Sequence, residues 1–400
     1  MKKTRTILLT IILITITFAS CNLDGSAGIF KQISQSKEPL SIRYIQLLGA
    51  DSNPLSSAAK LYFRTTKGIQ EVTNPRTTKT IVASKYEHII QGAAYKADKI
   101  FYITNNDDER SANQVRVIDT TNLSAIPGTI TVTAAEAPSV ATELSIKALY
   151  ANSMILVTGK NGSGAKVFDL LKYSSVAPVN FKTPIASFAS LPAGYDIESV
   201  IQQTAKEQDA TAPMIVSFIN GDGDREHYLV EPSGPSKTSL GTQDVQIANF
   251  VYQATNNLYV LTTDGKIYHV NGTAWTSIAS SSKTYATNAF ALAVDYDGTN
   301  YHLITKPSAK SSALHVFSFP KALPNAAIGA GVDVKSGYAK ELSLTNIVSA
   351  MDISTVPGTS RLLVATHENG MFEITINDAS ANIDGPGNGW SSAAEEYTFL

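Results

Sequence analysis

Apolar and polar positions alternate over short runs along nearly the whole chain, each run ending in a turn signal. The clearest case is Asn257–Val270, where Leu258-Tyr259-Val260-Leu261 and Ile267-Tyr268-His269-Val270 flank Asp264-Gly265. Period-two runs rich in β-branched and aromatic residues predict strands, and Asp-Gly between them predicts a hairpin with a type I′ turn. A lone hairpin of this size is marginal in water and needs further sheet to cover its apolar face.

The chain supplies that sheet by repetition. Seven segments share the pattern of an apolar run ending on a hydroxyl residue: Tyr62–Thr65, Tyr102–Thr104, Leu156–Thr158, Ile215–Ser217, Val260–Thr262, Leu303–Thr305 and Val364–Thr366. A second strand follows each of them, at Ile69–Val72, Val115–Asp119, Lys166–Leu170, His227–Val230, Lys266–Val270, Leu314–Phe317 and Met371–Ile374. From Thr65 to Thr366 the chain takes six steps of about fifty residues, the spacing of propeller blades. Upstream strands carry small residues (Gly92-Ala93-Ala94, Lys147-Ala148-Leu149, Phe290–Ala293, Ser349-Ala350-Met351), as crowding near a central axis requires. Outer strands are expected at Thr129–Thr133 and Trp275–Ile278, and a ring-closing outer strand at Glu396–Leu400.

The expected fold is therefore all-β, a seven-bladed β-propeller with four-stranded antiparallel blades over residues 41–400. Two stacked β domains or a pair of sandwiches are the alternative. The hairpins resemble the blades of propellers in bacterial two-component sensor ectodomains, whose pattern runs aromatic-apolar, Thr, Gly, then an apolar strand. Only Trp275 and Trp390 are present, too few for the Trp-docked blades of quinoprotein-type propellers.

The N-terminus carries a different signal. Lys2, Lys3 and Arg5 precede an apolar run from Ile7 to Ala19 that is shorter than a bilayer span, the layout of a secretory signal peptide. Phe18-Ala19-Ser20-Cys21 resembles the lipobox of bacterial lipoproteins, with Phe18 where that family usually has Leu. The resemblance implies cleavage after Ser20 and lipid attachment at Cys21. Residues 21–40 then read as a lipidated tether. Asn22, in place of the Asp that retains enteric lipoproteins at the inner membrane, implies delivery to the outer membrane or cell surface.

Composition narrows the partners. Charged residues are 16% of the chain and its net charge is −2. Losing residues 1–20 takes three of the 32 basic side chains and none of the 34 acidic ones, leaving 29 against 34, formally −5. With no basic stripe, a nucleic-acid partner is not expected. The partners to expect are the membrane, reached through the lipid, and an envelope protein or glycan. Cys21 is the one cysteine, so a secreted body has its core alone to hold it.

Asn220, Asp222 and Asp224 place oxygens at alternating positions, with Glu231 twelfth from Asn220, partly matching a calcium loop. Arg225 stands where such a loop needs Gly, so a solvated hairpin loop is the competing reading. No other cofactor is expected. Gly159–Lys166 superficially evokes a phosphate loop, yet it lies between strands and does not lead into a helix. The six histidines (88, 227, 269, 302, 315 and 367) show no metal-ligand spacing, and no nucleophile elbow exists, so no catalytic residue is assigned. The function expected is a non-enzymatic binding or assembly platform, lipid-anchored in the envelope. The alternative is a propeller-type lyase or glycosidase with polar residues gathered at a central channel.

Overall fold

The computed structural model describes 28 strands, given below, and residues 113, 120–122, 127, 132–141, 161–165, 194, 203, 213, 221–224, 243–246, 263–266, 272–273, 278, 284–287, 306 and 331. All belong to one compact unit, Arg43–Leu400. Cys21 and the N-terminal signal lie outside the described residues, as do His88 and His367. Among the described residues no helix is long and apolar enough to cross a membrane.

Each sheet is built from four consecutive strands. The first comprises β1 (Tyr44–Ala50), β2 (Lys60–Thr65), β3 (Gly68–Thr73) and β4 (Thr77–Ala83). The second comprises β5 (Ile89–Tyr95), β6 (Lys99–Thr104), β7 (Gln114–Asp119) and β8 (Gly128–Thr131). In the third are β9 (Thr142–Tyr150), β10 (Met154–Lys160), β11 (Lys166–Ser174) and β12 (Asn180–Phe188). The fourth holds β13 (Tyr195–Gln202), β14 (Met214–Asn220), β15 (Arg225–Glu231) and β16 (Ser236–Thr242). The fifth has β17 (Ile247–Tyr252), β18 (Leu258–Thr262), β19 (Ile267–Asn271) and β20 (Ala274–Ser277). The sixth has β21 (Phe290–Val294), β22 (Asn300–Thr305), β23 (Leu314–Pro320) and β24 (Val332–Val334). The seventh has β25 (Val348–Ile353), β26 (Ser360–Thr366), β27 (Met371–Ile376) and β28 (Glu395–Tyr397).

Pairing is antiparallel throughout, for example Leu258 with Val270 and Val260 with Tyr268 in the fifth sheet. The first strand of each sheet lies beside the first strand of the next at six junctions: β1/β5, β5/β9, β13/β17, β17/β21, β21/β25 and β25/β1. The last pair returns to the start, so the sheets are arranged around a common centre. The fold is all-β and propeller-like.

The core follows from this arrangement. A sheet held between two others must be apolar on both faces, and period-two alternation then divides its side chains between two separate clusters. In β10, Met154 and Leu156 join a cluster with the fourth sheet, whereas Ile155 and Val157 join one with the second. In β18, Leu258 and Val260 face the fourth sheet while Tyr259 and Leu261 face the sixth. The hydroxyl-terminated apolar runs found in the sequence are all second strands, for this reason.

Two sequence expectations change here. The Asp264-Gly265 turn is not type I′. That turn needs positive φ at both residues. Gly265 has φ 80° and Asp264 is not among the described non-glycine residues with positive φ. Thr262 N–H donates to the Lys266 carbonyl (2.9 Å) and Gly265 N–H to the Thr262 carbonyl (2.9 Å), a three-residue loop with glycine in the left-handed position. The Thr262 hydroxyl donates to Asp264 and accepts from Lys266 N–H (3.1 Å), and that capping selects the longer loop. The hydroxyl bond also holds the Asp264 carboxyl below its usual range.

The second change concerns the C-terminal strand. β28 is the outer strand of the seventh sheet and pairs with β27 alone. The last-to-first junction is made by innermost strands, so ring closure does not depend on the outer one.

Candidate functional site

The site grows from irregularities in two innermost strands. In β9, Ala148 pairs with Leu156 and Ile146 with Val157, so Lys147 has no partner opposite it and forms a β-bulge. A bulge re-aims side chains that strict alternation would send elsewhere. Here Ile146 and Leu149 face the second sheet, while Ser145, Lys147 and Ala148 all face the fourth. In β13, Ile197 pairs with Phe218 and Ser199 with Ser217, leaving Glu198 bulged in the same way.

Between these strands the ring is looser. β9 and β13 form the one junction where neighbouring innermost strands do not run close together among the described residues. A cleft of about 580 Å³ opens there, within the range of small-molecule sites. Its floor is apolar, with Ala148, Leu156, Ile197 and Val200. Below it, Phe168, Phe188, Phe218 and Tyr228 pack at centroid distances of 4.4–5.9 Å and hold the two sheets together. The Tyr150 hydroxyl donates to the Val200 carbonyl (3.2 Å), a further tie from β9 to β13, and burial raises its pKa.

The mouth is charged. β9 begins at the same end as the β10–β11 hairpin, and β13 at the same end as the β14–β15 hairpin, because successive strands are antiparallel. Glu143, Lys160, Lys166 and Asp196 therefore gather at one rim. Lys160 Nζ reaches Glu143 Oε1 at 2.6 Å within the third sheet, and Lys166 bonds Asp196 across the cleft. Both pairs are exposed, so each contributes at most about 1 kcal/mol. Deeper in, both Glu198 oxygens accept from Arg225 Nε (2.9 and 3.0 Å), while Arg225 Nη1 donates to Asp244 (2.8 Å).

The backbone at this rim is strained. Glu143 has φ 58° and is alone among described non-glycine residues in the left-handed region, a conformation that costs about 1–3 kcal/mol. Opposite it, Gly159 admits the approaching 140–143 segment: a Cβ there would lie 2.3 Å from Val140 Cγ1 and 2.6 Å from the Thr142 carbonyl.

The residues singled out by sequence fall elsewhere. Asn220, Asp222 and Asp224 form the β14–β15 hairpin loop at the rim. Asn220 Oδ1 accepts from Asp222 N–H (3.0 Å) and Asp224 N–H (2.8 Å), and Asn220 Nδ2 donates to Asp224 Oδ2 (2.9 Å). Glu231 lies at the far end of β15 and accepts from the Tyr252 hydroxyl (2.7 Å), so the structure does not bring it to the other three. Among the described residues no group of three or more His, Cys, Asp or Glu could share a metal ion. The phosphate-loop look-alike forms the same hairpin as 220–224: Asn161 Oδ1 accepts from Ser163 N–H (3.0 Å) and Ala165 N–H (3.0 Å).

The described histidines sit in second and third strands, at β15, β19, β22 and β23, and none lies on an innermost strand. His227 is buried between the Ser217 hydroxyl (2.9 Å from Nδ1) and the Gln243 carbonyl (3.2 Å from Nε2). Burial pushes its pKa down to about 4, with the nearby Arg225 charge adding to the effect and the backbone carbonyls opposing it. The unfolded chain, with an ordinary histidine, therefore binds more protons between about pH 6.5 and 4. His227 favours the folded state fully above that window, and the contribution disappears as pH falls through it, by up to about 3 kcal/mol. Urea midpoints measured from pH 7 to 4 should fall less steeply in His227→Gln than in the parent; equal slopes would reject this assignment.

Sequence reasoning missed the cleft. One signal was available: Thr142–Tyr150 and Tyr195–Gln202 are the innermost strands with two charged residues each, and the other five have at most one.

No protein-family model matches the chain, and no curated protein sequence matches it. Among solved structures it is similar to the Dos1 propeller, with 12% identity over 90% of this chain and 85% of that one, and a TM-score of 0.44. It is also similar to the β-propeller domain of the Trilobed protease from Pyrococcus furiosus (11% identity, 89% of this chain, 98% of that one, TM-score 0.41). A third similarity is to prolyl endopeptidase (10% identity, 84% of this chain, 48% of that one, TM-score 0.45). The propeller-like assignment rests on the strand order and the ring of innermost strands.

Proposed function

We propose that the protein is a seven-bladed β-propeller with four-stranded blades, anchored through lipid on Cys21 to the outer membrane or cell surface of a bacterium. There it acts as a non-enzymatic binding or assembly platform for an envelope protein or glycan, meeting its partner at the rim that carries the third and fourth sheets.

The observation that supports binding over catalysis is the state of the carboxylates at the cleft. Glu143, Asp196 and Glu198 each already hold a lysine or arginine. A carboxylate held against a cation serves as that cation's counter-ion and is not left free to reach a substrate. A lyase or glycosidase would need carboxyl groups free to pass protons to and from its substrate. The four described histidines lie on second and third strands, away from the cleft lining.

Affinity capture from solubilised envelope tests the platform. A stoichiometric partner is expected with the parent and is expected to be lost when Ser199→Trp fills the cleft. Recovery of no stoichiometric partner would overturn the reading. The anchor is tested separately by growth with labelled palmitate. Label should enter the parent protein in the membrane fraction and be absent from Cys21→Ala; an unlabelled parent would remove the anchor.

A further inference from the structure

The same cleft carries a more specific reading of what it binds. Two of its lysines are matched with carboxylates, Lys160 with Glu143 and Lys166 with Asp196, and Glu198 is held by Arg225, which also reaches the exposed Asp244 outside the lining. One cation lining the cleft stands outside this pairing. Lys147, exposed on the β9 bulge, makes no ion pair or hydrogen bond among the described residues. On the opposite strand, the Ser199 hydroxyl oxygen is buried without a hydrogen-bond partner. Buried polar atoms in native folds are nearly always satisfied, and an orphaned hydroxyl inside a cleft points to a group that is supplied by a ligand. Between these two polar points the lining is Ala148, Leu156, Ile197 and Val200.

We propose that this cleft binds an amphipathic monoanion, an apolar chain ending in a carboxylate, with its head between Lys147 and Ser199 and its chain on the apolar floor. The proposal deepens the binding function given above and rests on it. A carboxylate accepts from both an ammonium and a hydroxyl, so it satisfies each with one group. The three carboxylates of the lining do not exclude it: Lys160 and Lys166 neutralise Glu143 and Asp196, and both Glu198 oxygens are held by Arg225 Nε, whose second partner, Asp244, is exposed outside the lining. The bulge explains why Lys147 is available at all. Without the extra residue, alternation could not place Lys147 and Ala148 on the same side of β9, and charge and floor would not meet in one site. Entry requires opening the Lys166–Asp196 bond that crosses the mouth. Both of its side chains are more than half exposed, so opening costs little.

The full chain in lipid nanodiscs, titrated calorimetrically against an empty-disc blank, provides the test. Octanoate should bind saturably, and octanamide, which keeps the chain and loses the charge, should bind roughly tenfold or more weakly, the worth of a charge-assisted hydrogen bond. Lys147→Met should weaken octanoate to the same degree and leave octanamide unchanged, while Lys147→Arg restores octanoate. Because Lys147 is exposed, the melting midpoint of Lys147→Met should equal that of the parent, which separates a lost contact from a lost fold. Absence of saturable octanoate binding, equal affinities for the two probes, or indifference to Lys147→Met would each overturn the proposal. The capture experiment reads the platform independently: a partner still recovered alongside any of these results would leave that reading standing and remove only the monoanion.

Discussion

Phe218→Ala should destabilise the protein by about 3–5 kcal/mol, the range for deleting a buried phenylalanine. Phe218 is fully buried on β14, where alternation points it at the third sheet with Met214 and Val216. Its ring lies 5.7 Å from Phe168, 5.2 Å from Phe188 and 5.7 Å from Tyr228, with tilted or edge geometry that aromatic pairs prefer. Truncation removes all three contacts and leaves a cavity between two sheets whose innermost strands already stand apart. The third and fourth sheets have less redundant packing near the centre than their neighbours, so the cavity should collapse poorly and the cost should fall toward the upper end. Chemical denaturation would report this as a lower midpoint at unchanged slope. A loss below about 1 kcal/mol would show that the aromatic cluster does not join these sheets. The same variant should impair the cleft, whose floor sits on this cluster.

A comparable loss, about 3 kcal/mol, is expected for Gly265→Ala. The position has φ 80°, which costs a side chain about 1–2 kcal/mol. A Cβ there would also stand 2.7 Å from Tyr285 N and 2.9 Å from the Tyr285 carbonyl, backbone atoms that cannot rotate aside. Overpacking of this kind adds roughly 1–3 kcal/mol. Tyr285 N–H donates to the Gly265 carbonyl at 2.9 Å, so relieving the clash would break the bond that docks residues 284–286 onto the hairpin. Gly164 supplies the control. It occupies the same place in the β10–β11 hairpin with φ 81°, but a Cβ there meets nothing within 4 Å. Gly164→Ala should therefore cost the backbone term alone, about 1–2 kcal/mol. Equal losses in the two variants would mean that the Tyr285 approach contributes nothing.

These two glycines show where local sequence runs out. Gly-Ser-Gly at 162–164 and Thr-Asp-Gly at 263–265 both announce a turn. Nothing near either of them says that a chain segment twenty residues further on comes to rest against one and not the other. The turn type depended on more distant information as well. Asp264-Gly265 by itself favours type I′, whereas the observed loop is set by Thr262 and Lys266, which close the hairpin from outside the dipeptide.

The strand pattern could be read from sequence because each strand's burial is governed by its own alternation. Tyr62–Thr65, Leu156–Thr158 and Val260–Thr262 had to be apolar on both faces wherever they packed, and a repeat near fifty residues had to produce equivalent sheets. Which innermost strands separate, where Lys147 and Glu198 bulge, and which charges find partners across a cleft depended on neighbours fifty residues away in the chain. A charged residue in a strand looks the same in sequence whether it faces water or a binding site. What the sequence by itself determined was the all-β, repeating character of the body, since hydrophobic periodicity acts locally. The tertiary structure alone decided the cleft, because a site made by two sheets exists only once both are in place.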